Sequence, residues 1–117
     1  MRQARNYQAG LAAEASVLRW YIAAGYQPLV QRFRGARGEI DLILQRDDDV
    51  IFVEVKKSRS FDAAALRLGP AQIARIMQTA GEFLGTQPRG QLTPTRFDVA
   101  LVNSFGEVSI LENVLSA

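Results

Sequence analysis

The 117-residue chain contains neither cysteine nor histidine. Without cysteine there is no disulfide, no thiol nucleophile and no thiolate zinc site, and the composition is compatible with a reducing cytoplasm. Without histidine, Ser-His-Asp and Cys-His catalysis are excluded, as are imidazole metal sites. Long apolar runs are missing too. None approaches the roughly 18 residues that a membrane span needs. The N-terminal "MRQARNYQAGLAAEA" lacks an apolar stretch followed by a cleavage site, so a signal peptide is not expected. Nor does one sign of charge dominate: the net charge is +2, which by itself points to no polyanionic partner. Any catalysis must use carboxylates, Lys, Arg, Tyr or hydroxyls, with a hard cation such as Mg²⁺ or Mn²⁺ if one is needed.

What is present suits a folded domain. Apolar residues make up 48% of the chain and charged residues 22%, enough for a sizeable core. Residues 1–117 read as a single domain without repeats or low-complexity segments. Residues 2–24 suggest a helix with Leu11, Ala15, Leu18 and Ile22 on its buried face, stopped by Gly25. Strands are expected at 27–33, 38–46, 50–58, 96–103 and 107–112, the last two joined by a turn at Ser104, Phe105 and Gly106. Residues 59–69 read as a loop or a loose helical turn. Pro70 opens a second helix, with Ile73, Ile76, Met77, Ala80, Phe83 and Leu84 on one face and Gly85 at its end. The order predicts an α/β sandwich around a mixed sheet of about five strands.

The stretch "GEIDLILQRDDDVIFVEVK" (38–56) carries the chemistry. Side chains alternate faces along a strand. Folded as a hairpin about Asp47 and Asp48, the strands set Leu44 against Ile51, Leu42 against Val53 and Ile40 against Val55 on one apolar face. The other face sets Ile43 against Phe52, Asp41 against Glu54 and Glu39 against Lys56. A one-residue slip would mix charged and apolar residues on both faces, so the pattern selects this register. The turn lacks glycine, which favours a four-residue loop. Facing carboxylates repel by roughly 4 kcal/mol at 4 Å with an effective dielectric near 20. A bound cation, a raised pKa or full exposure would relieve Asp41 and Glu54. The neighbouring Ile43–Phe52 pair needs cover and so favours the rim of a covered face over an open, solvated one.

Glu14 lies on the expected apolar stripe of the first helix. It reaches the Asp41–Glu54 pair if that helix covers the Ile43–Phe52 face; the alternative is a boundary glutamate paired with an arginine. Asp41, Glu54 and the carbonyl of Val55 could hold Mg²⁺, which lowers the pKa of a bound water and neutralises charge on a phosphate. Lys56 could stabilise the pentavalent oxyanion or orient the water, or simply pair with Glu39. Arg32, Arg34 and Arg37, with Lys57 and Arg59, form basic clusters on either side of this stretch, able to hold phosphates or to remain solvated. The set suits metal-assisted phosphodiester hydrolysis.

At these residues the chain resembles the YraN-like family of small bacterial proteins, itself similar to archaeal Holliday-junction resolvases and the wider PD-(D/E)XK nuclease superfamily. "GEIDLI" (38–43) and "FVEVK" (52–56) carry the resemblance. "GLAAE" (10–14), "GYQPLVQRFR" (25–34), "AQIARI" (71–76) and "RFDVALV" (96–102) extend it over nearly the whole chain. It implies a restriction-endonuclease-like core. Glu14, Asp41, Glu54 and Lys56 then correspond to that superfamily's acidic ligands and lysine, and Gln72 to a glutamine that could touch phosphate. Two departures concern local phosphate contacts: "KSRS" after the motif strand, and Ala71 where a lysine commonly precedes the glutamine.

Two functions follow as expectations. One is a Mg²⁺-dependent endonuclease acting on DNA, including branched DNA, for which a two-fold homodimer would suit paired cuts. The other is a nucleic-acid-binding module that keeps the fold without turnover. A protein-interaction domain using a sheet edge has no positive support in the sequence.

Overall fold

The alternating pattern of 38–56 forms the hairpin it demands. In the computed structural model, which describes residues 2–62 and 69–114 with side chains from residue 10 onward, Leu42 pairs with Val53, Ile43 with Phe52 and Leu44 with Ile51. These pairs lie in β2 (Glu39–Arg46) and β3 (Asp49–Lys57). The turn is tighter than expected. Arg46 pairs with Asp49, leaving two turn residues, and Asp47 takes φ of +54°. Aspartate tolerates the left-handed region better than most residues, so no glycine is needed.

Helix α1 (Arg2–Ala23) leads into β1 (Gln27–Arg34) through Gly25, whose φ of +94° suits glycine and ends the helix. After β3 the chain passes through helix α2 (Pro70–Leu84) to β4 (Thr95–Val102) and β5 (Val108–Leu111). Pro70 occupies the start of α2, and the helix ends before Gly85 as expected, although Gly85 stays right-handed at φ −59°. The sheet runs β1-β2-β3-β4-β5. Strands β3 and β4 are parallel, crossed over by α2, and the other neighbours are antiparallel. This is the mixed five-strand α/β sandwich that the element order implies, compatible with a nuclease-like core. No helix among the described residues is long and apolar enough to cross a membrane. Residues 63–68, within the segment read as a loop or loose helical turn, lie outside the described residues.

Each face of the sheet has its own core. Ala13, Val17 and Tyr21 of α1 pack on Leu42, Leu44, Ile51, Val53, Ala100 and Val102. Ile76, Ala80, Phe83 and Leu84 of α2 pack on Ile40, Ile43, Val50 and Phe52. The expected α1 stripe is therefore wrong by a rotation: Leu11, Ala15 and Ile22 are exposed, and Leu18 only flanks the core. Ala13 is small enough for close approach, and the Tyr21 hydroxyl finds a buried partner, so the less apolar stripe wins. On α2, Met77 is exposed and the smaller Thr79 is buried in its place.

The alternation also fails at one point. Ile40 joins Ile43 on the α2 side rather than Leu42 and Leu44 on the α1 side. On β1, Val30 and Phe33, again three apart, flank that same cluster. Between them Arg32 takes φ of +56°, across from Asp41 in the ladder that joins Gln31–Leu42 to Phe33–Ile40. A left-handed arginine inside a strand is a local distortion that the surroundings must hold. It turns both strands over between one apolar pair and the next.

Candidate functional site

The chemistry gathers where the β2–β3 ladder stops. Backbone pairing ends at Leu42–Val53, so the expected Asp41–Glu54 and Ile40–Val55 rungs are not formed. A strand amide left without a carbonyl must find another acceptor. The amide of Val55 donates to Asp41 Oδ2 at 2.8 Å. Asp41 is thus fixed by β3 itself, beside Glu54.

Glu54 is 9% exposed. Burial, then hydrogen bonding and charge repulsion from Asp41, push its carboxyl up to about 9, against a smaller opposing pull from Lys56. The two carboxylates therefore share a site in which both are charged only at a cost. Lys56 follows on the same face. Its Nζ donates to Gln72 Oε1 at 2.8 Å, which ties the motif strand to the first turn of α2. No ion pair within 4.0 Å joins Lys56 to Glu39 among the described residues; Glu39 instead accepts from Arg34 Nε at 3.3 Å. Asp41, Glu54, Lys56 and Gln72 are thus brought together, and Val55 enters through its amide.

Glu14 lies elsewhere in this arrangement. Helix α1 covers the Leu42–Val53 face, opposite Ile43 and Phe52. Arg32 grips Glu14 with both ends of its guanidinium, Nε at 3.1 Å and Nη2 at 2.9 Å. Bidentate pairing of this kind is strong and directional. It joins α1 to the distorted position of β1 opposite Asp41. Among the described residues no group of three or more acidic side chains converges as a ready-made metal cage.

The basic residues divide between surfaces. Arg34 is exposed beside Glu39, and Arg37 is exposed in the β1–β2 loop. That loop docks on α2: the amide of Ala36 donates to both oxygens of Glu82 at 3.1 and 3.0 Å. Gly38 has no room for a side chain there, because a Cβ would meet Thr79 Oγ1 at 2.9 Å. Lys57 faces the α1 side, away from Lys56, and Arg59 is exposed beyond the end of β3.

The sequence reading missed a second buried carboxylate. Asp98 on β4 is 2% exposed. Its oxygens accept from Tyr21 Oη at 2.7 Å, from Arg96 Nε at 2.9 Å and Nη2 at 2.8 Å, and from the Asn113 amide at 3.0 Å. Arg96 also donates to Tyr26 Oη at 2.7 Å. Burial and the charge of Asp98 hold the Tyr21 hydroxyl far above its ordinary range, so it remains a donor. The signal was available: "RFD" inside an apolar strand puts Arg96 and Asp98 on one face.

The donor set around Asp41 fits a hard cation. Mg²⁺ is held by one or two carboxylates, several waters and a substrate phosphate more often than by a full protein cage. A carboxylate pair that can discharge only by sharing a proton is one that a divalent cation would relieve.

The model of a family described as "Uncharacterised protein family UPF0102" matches residues 13–102. A UPF0102 protein of Roseobacter denitrificans is 57% identical over 110 residues, covering 94% of this chain and 85% of its own. One from Ruegeria pomeroyi is 54% identical over 112 residues, covering 96% of this chain and 91% of its own. One from Cereibacter sphaeroides is 52% identical over 112 residues, covering 96% of each.

Proposed function

This chain belongs to the uncharacterised protein family UPF0102, the kind of small bacterial family that its paired motifs resemble, and we propose that it is a Mg²⁺-dependent endonuclease hydrolysing phosphodiester bonds of DNA, including branched DNA. The observation that supports the reading is the buried Glu54 set beside the half-buried Asp41 at the break in the β2–β3 ladder, with Lys56 next to them. Asp41 and Glu54 would hold the cation, with Mn²⁺ as a substitute. A divalent cation there supplies a water of lowered pKa and neutralises charge on the phosphate.

The protein's own groups do the rest. The Val55 amide fixes the direction of Asp41. Gln72 takes one of the three Lys56 donors and leaves two for a non-bridging phosphate oxygen. Arg34 at the end of β1 and Arg37 on the loop that follows lie at the β2 end of the site and would position flanking phosphates. Paired cuts at a junction suit a two-fold dimer, and a cysteine-free chain suits the cytoplasm, where such DNA lies.

One observation favours a second reading, a nucleic-acid-binding module without turnover: Arg32 already engages Glu14, the third acid that the resemblance implies. Cleavage assays on linear, flapped and four-way DNA with Mg²⁺ or Mn²⁺ separate the two. The nuclease reading expects cutting by wild type and its loss in Asp41→Asn, Glu54→Gln and Lys56→Ala, each folded by circular dichroism. Metal-independent, salt-sensitive binding without any cutting supports the second reading.

A further inference from the structure

A second concavity opens on the other face of the sheet. It lies between α1 and the β4–β5 turn, has a volume of about 250 Å³, and is lined by Ala12, Ala13, Ser16, Lys57, Ser104 and Phe105 among others. It sits beyond the carboxyl ends of β3 and β4, which run parallel. Open α/β sheets bind their ligands at that end.

The lining has a consistent chemistry. Lys57 supplies positive charge, and the Glu107 carboxylate of the same turn is taken up by Asn103 Nδ2 at 2.8 Å. Arg19 Nη2 reaches Ser16 Oγ at the rim, at 3.1 Å. Ala12 and Ala13 leave a shallow, apolar floor. Phe105 is 87% exposed, although burial would normally favour such a ring. The turn that presents it is firmly built. Asn103 Oδ1 accepts the amides of Phe105 and Glu107, each at 3.0 Å, and Gly106 takes φ of +79°. An aromatic face held in water beside a cation and a hydroxyl matches a nucleobase and its phosphate.

We infer that this groove takes one unpaired nucleotide of a nucleic-acid strand, with its base on the Phe105 ring and its phosphate at Lys57. Lys56 and Lys57 are consecutive on β3 and project to opposite faces. A strand wrapping the end of β3 sets one phosphate at Asp41 and Glu54 and a nearby nucleotide in the groove. This juxtaposition rests on the nuclease reading. It narrows the substrate to nucleic acid with an unpaired nucleotide near the scissile bond, as at flaps, bulges and junctions. A base already out of the duplex stack meets Phe105 without the cost of unstacking.

Fluorescence anisotropy with a labelled oligothymidylate and a duplex of equal length, in EDTA at low salt, tests the groove without turnover. Wild type is expected to prefer the single strand. Phe105→Ala should weaken that binding about tenfold, with no effect on folding because the ring is already exposed. Lys57→Gln should reduce the slope of log affinity against log salt by about one. Equal affinity of wild type and Phe105→Ala, a preference for duplex, or no binding by wild type overturns the inference. Binding that depends on Phe105, in a protein that cuts nothing with Mg²⁺ or Mn²⁺, leaves the groove standing and removes the nuclease.

Discussion

Two buried carboxylates occupy adjoining rungs of one parallel ladder and live in opposite surroundings. Val53 pairs with Asp98, and Glu54 with Val99. Asp98 therefore faces α1 and Glu54 faces α2. Asp98 meets a guanidinium, a phenol and a backbone amide, so its charge is answered within the fold. Glu54 meets another carboxylate, and the pull of Lys56 is too small to offset burial and Asp41, so its carboxyl keeps a proton well above the usual carboxylate range. Burial of an acid does not mark function. The sign and number of its neighbours do.

The sharpest way to break this comparison is to remove each acid in turn. Asp98→Ala leaves Arg96 and the Tyr21 hydroxyl without their main acceptor and should cost about 3–5 kcal/mol in urea unfolding. Glu54→Gln keeps the neutral, hydrogen-bonding form that Glu54 holds below about pH 9 and should leave metal-free stability near neutral pH unchanged or higher. If the two substitutions cost the same, the distinction between a structural and a functional carboxylate fails.

Acidity gives the next effect. The Glu54 carboxyl lies at about 9 in the fold against an ordinary 4.5. Between those values the folded chain binds a proton that the unfolded chain releases, so this group's stabilisation is complete below about pH 4.5 and is lost as pH rises through about 9. Melting temperatures in EDTA should therefore fall from about pH 6 to pH 9 in wild type and change less in Glu54→Gln. A wild-type curve that rises over that range would mean that Glu54 is ionised in the fold.

The smallest effect concerns one hydroxyl. Tyr21→Phe removes a donor to Asp98 while Arg96 remains, and should cost about 1.5 kcal/mol. A negligible cost would show that Arg96 alone satisfies Asp98.

Much of the fold was legible because alternation leaves little choice. A slip of the central hairpin would have buried Asp41 or exposed Leu42, so its register could be read directly. The face of α1 could not. Leu11, Ala15, Leu18 and Ile22 compete with Ala13, Val17 and Tyr21 at the same spacing, and the winning stripe depends on Asp98, which lies 77 residues from Tyr21 in sequence. The site was half legible. Asp41, Glu54 and Lys56 could be placed together from pattern, but the break in the ladder could not, because it depends on the left-handed turn at Arg32 in a third strand. The same turn explains why Glu14, placed near the pair on a face it does not occupy, meets Arg32.

The most direct test of the central claim is a Mn²⁺ titration, followed by electron paramagnetic resonance, of wild type beside Asp41→Asn. Saturable binding in wild type that disappears in the variant is the predicted result. No binding up to roughly 10 mM, beyond the weak end of carboxylate sites, or equal binding by both proteins, would contradict the assignment of Asp41 and Glu54 as a cation site.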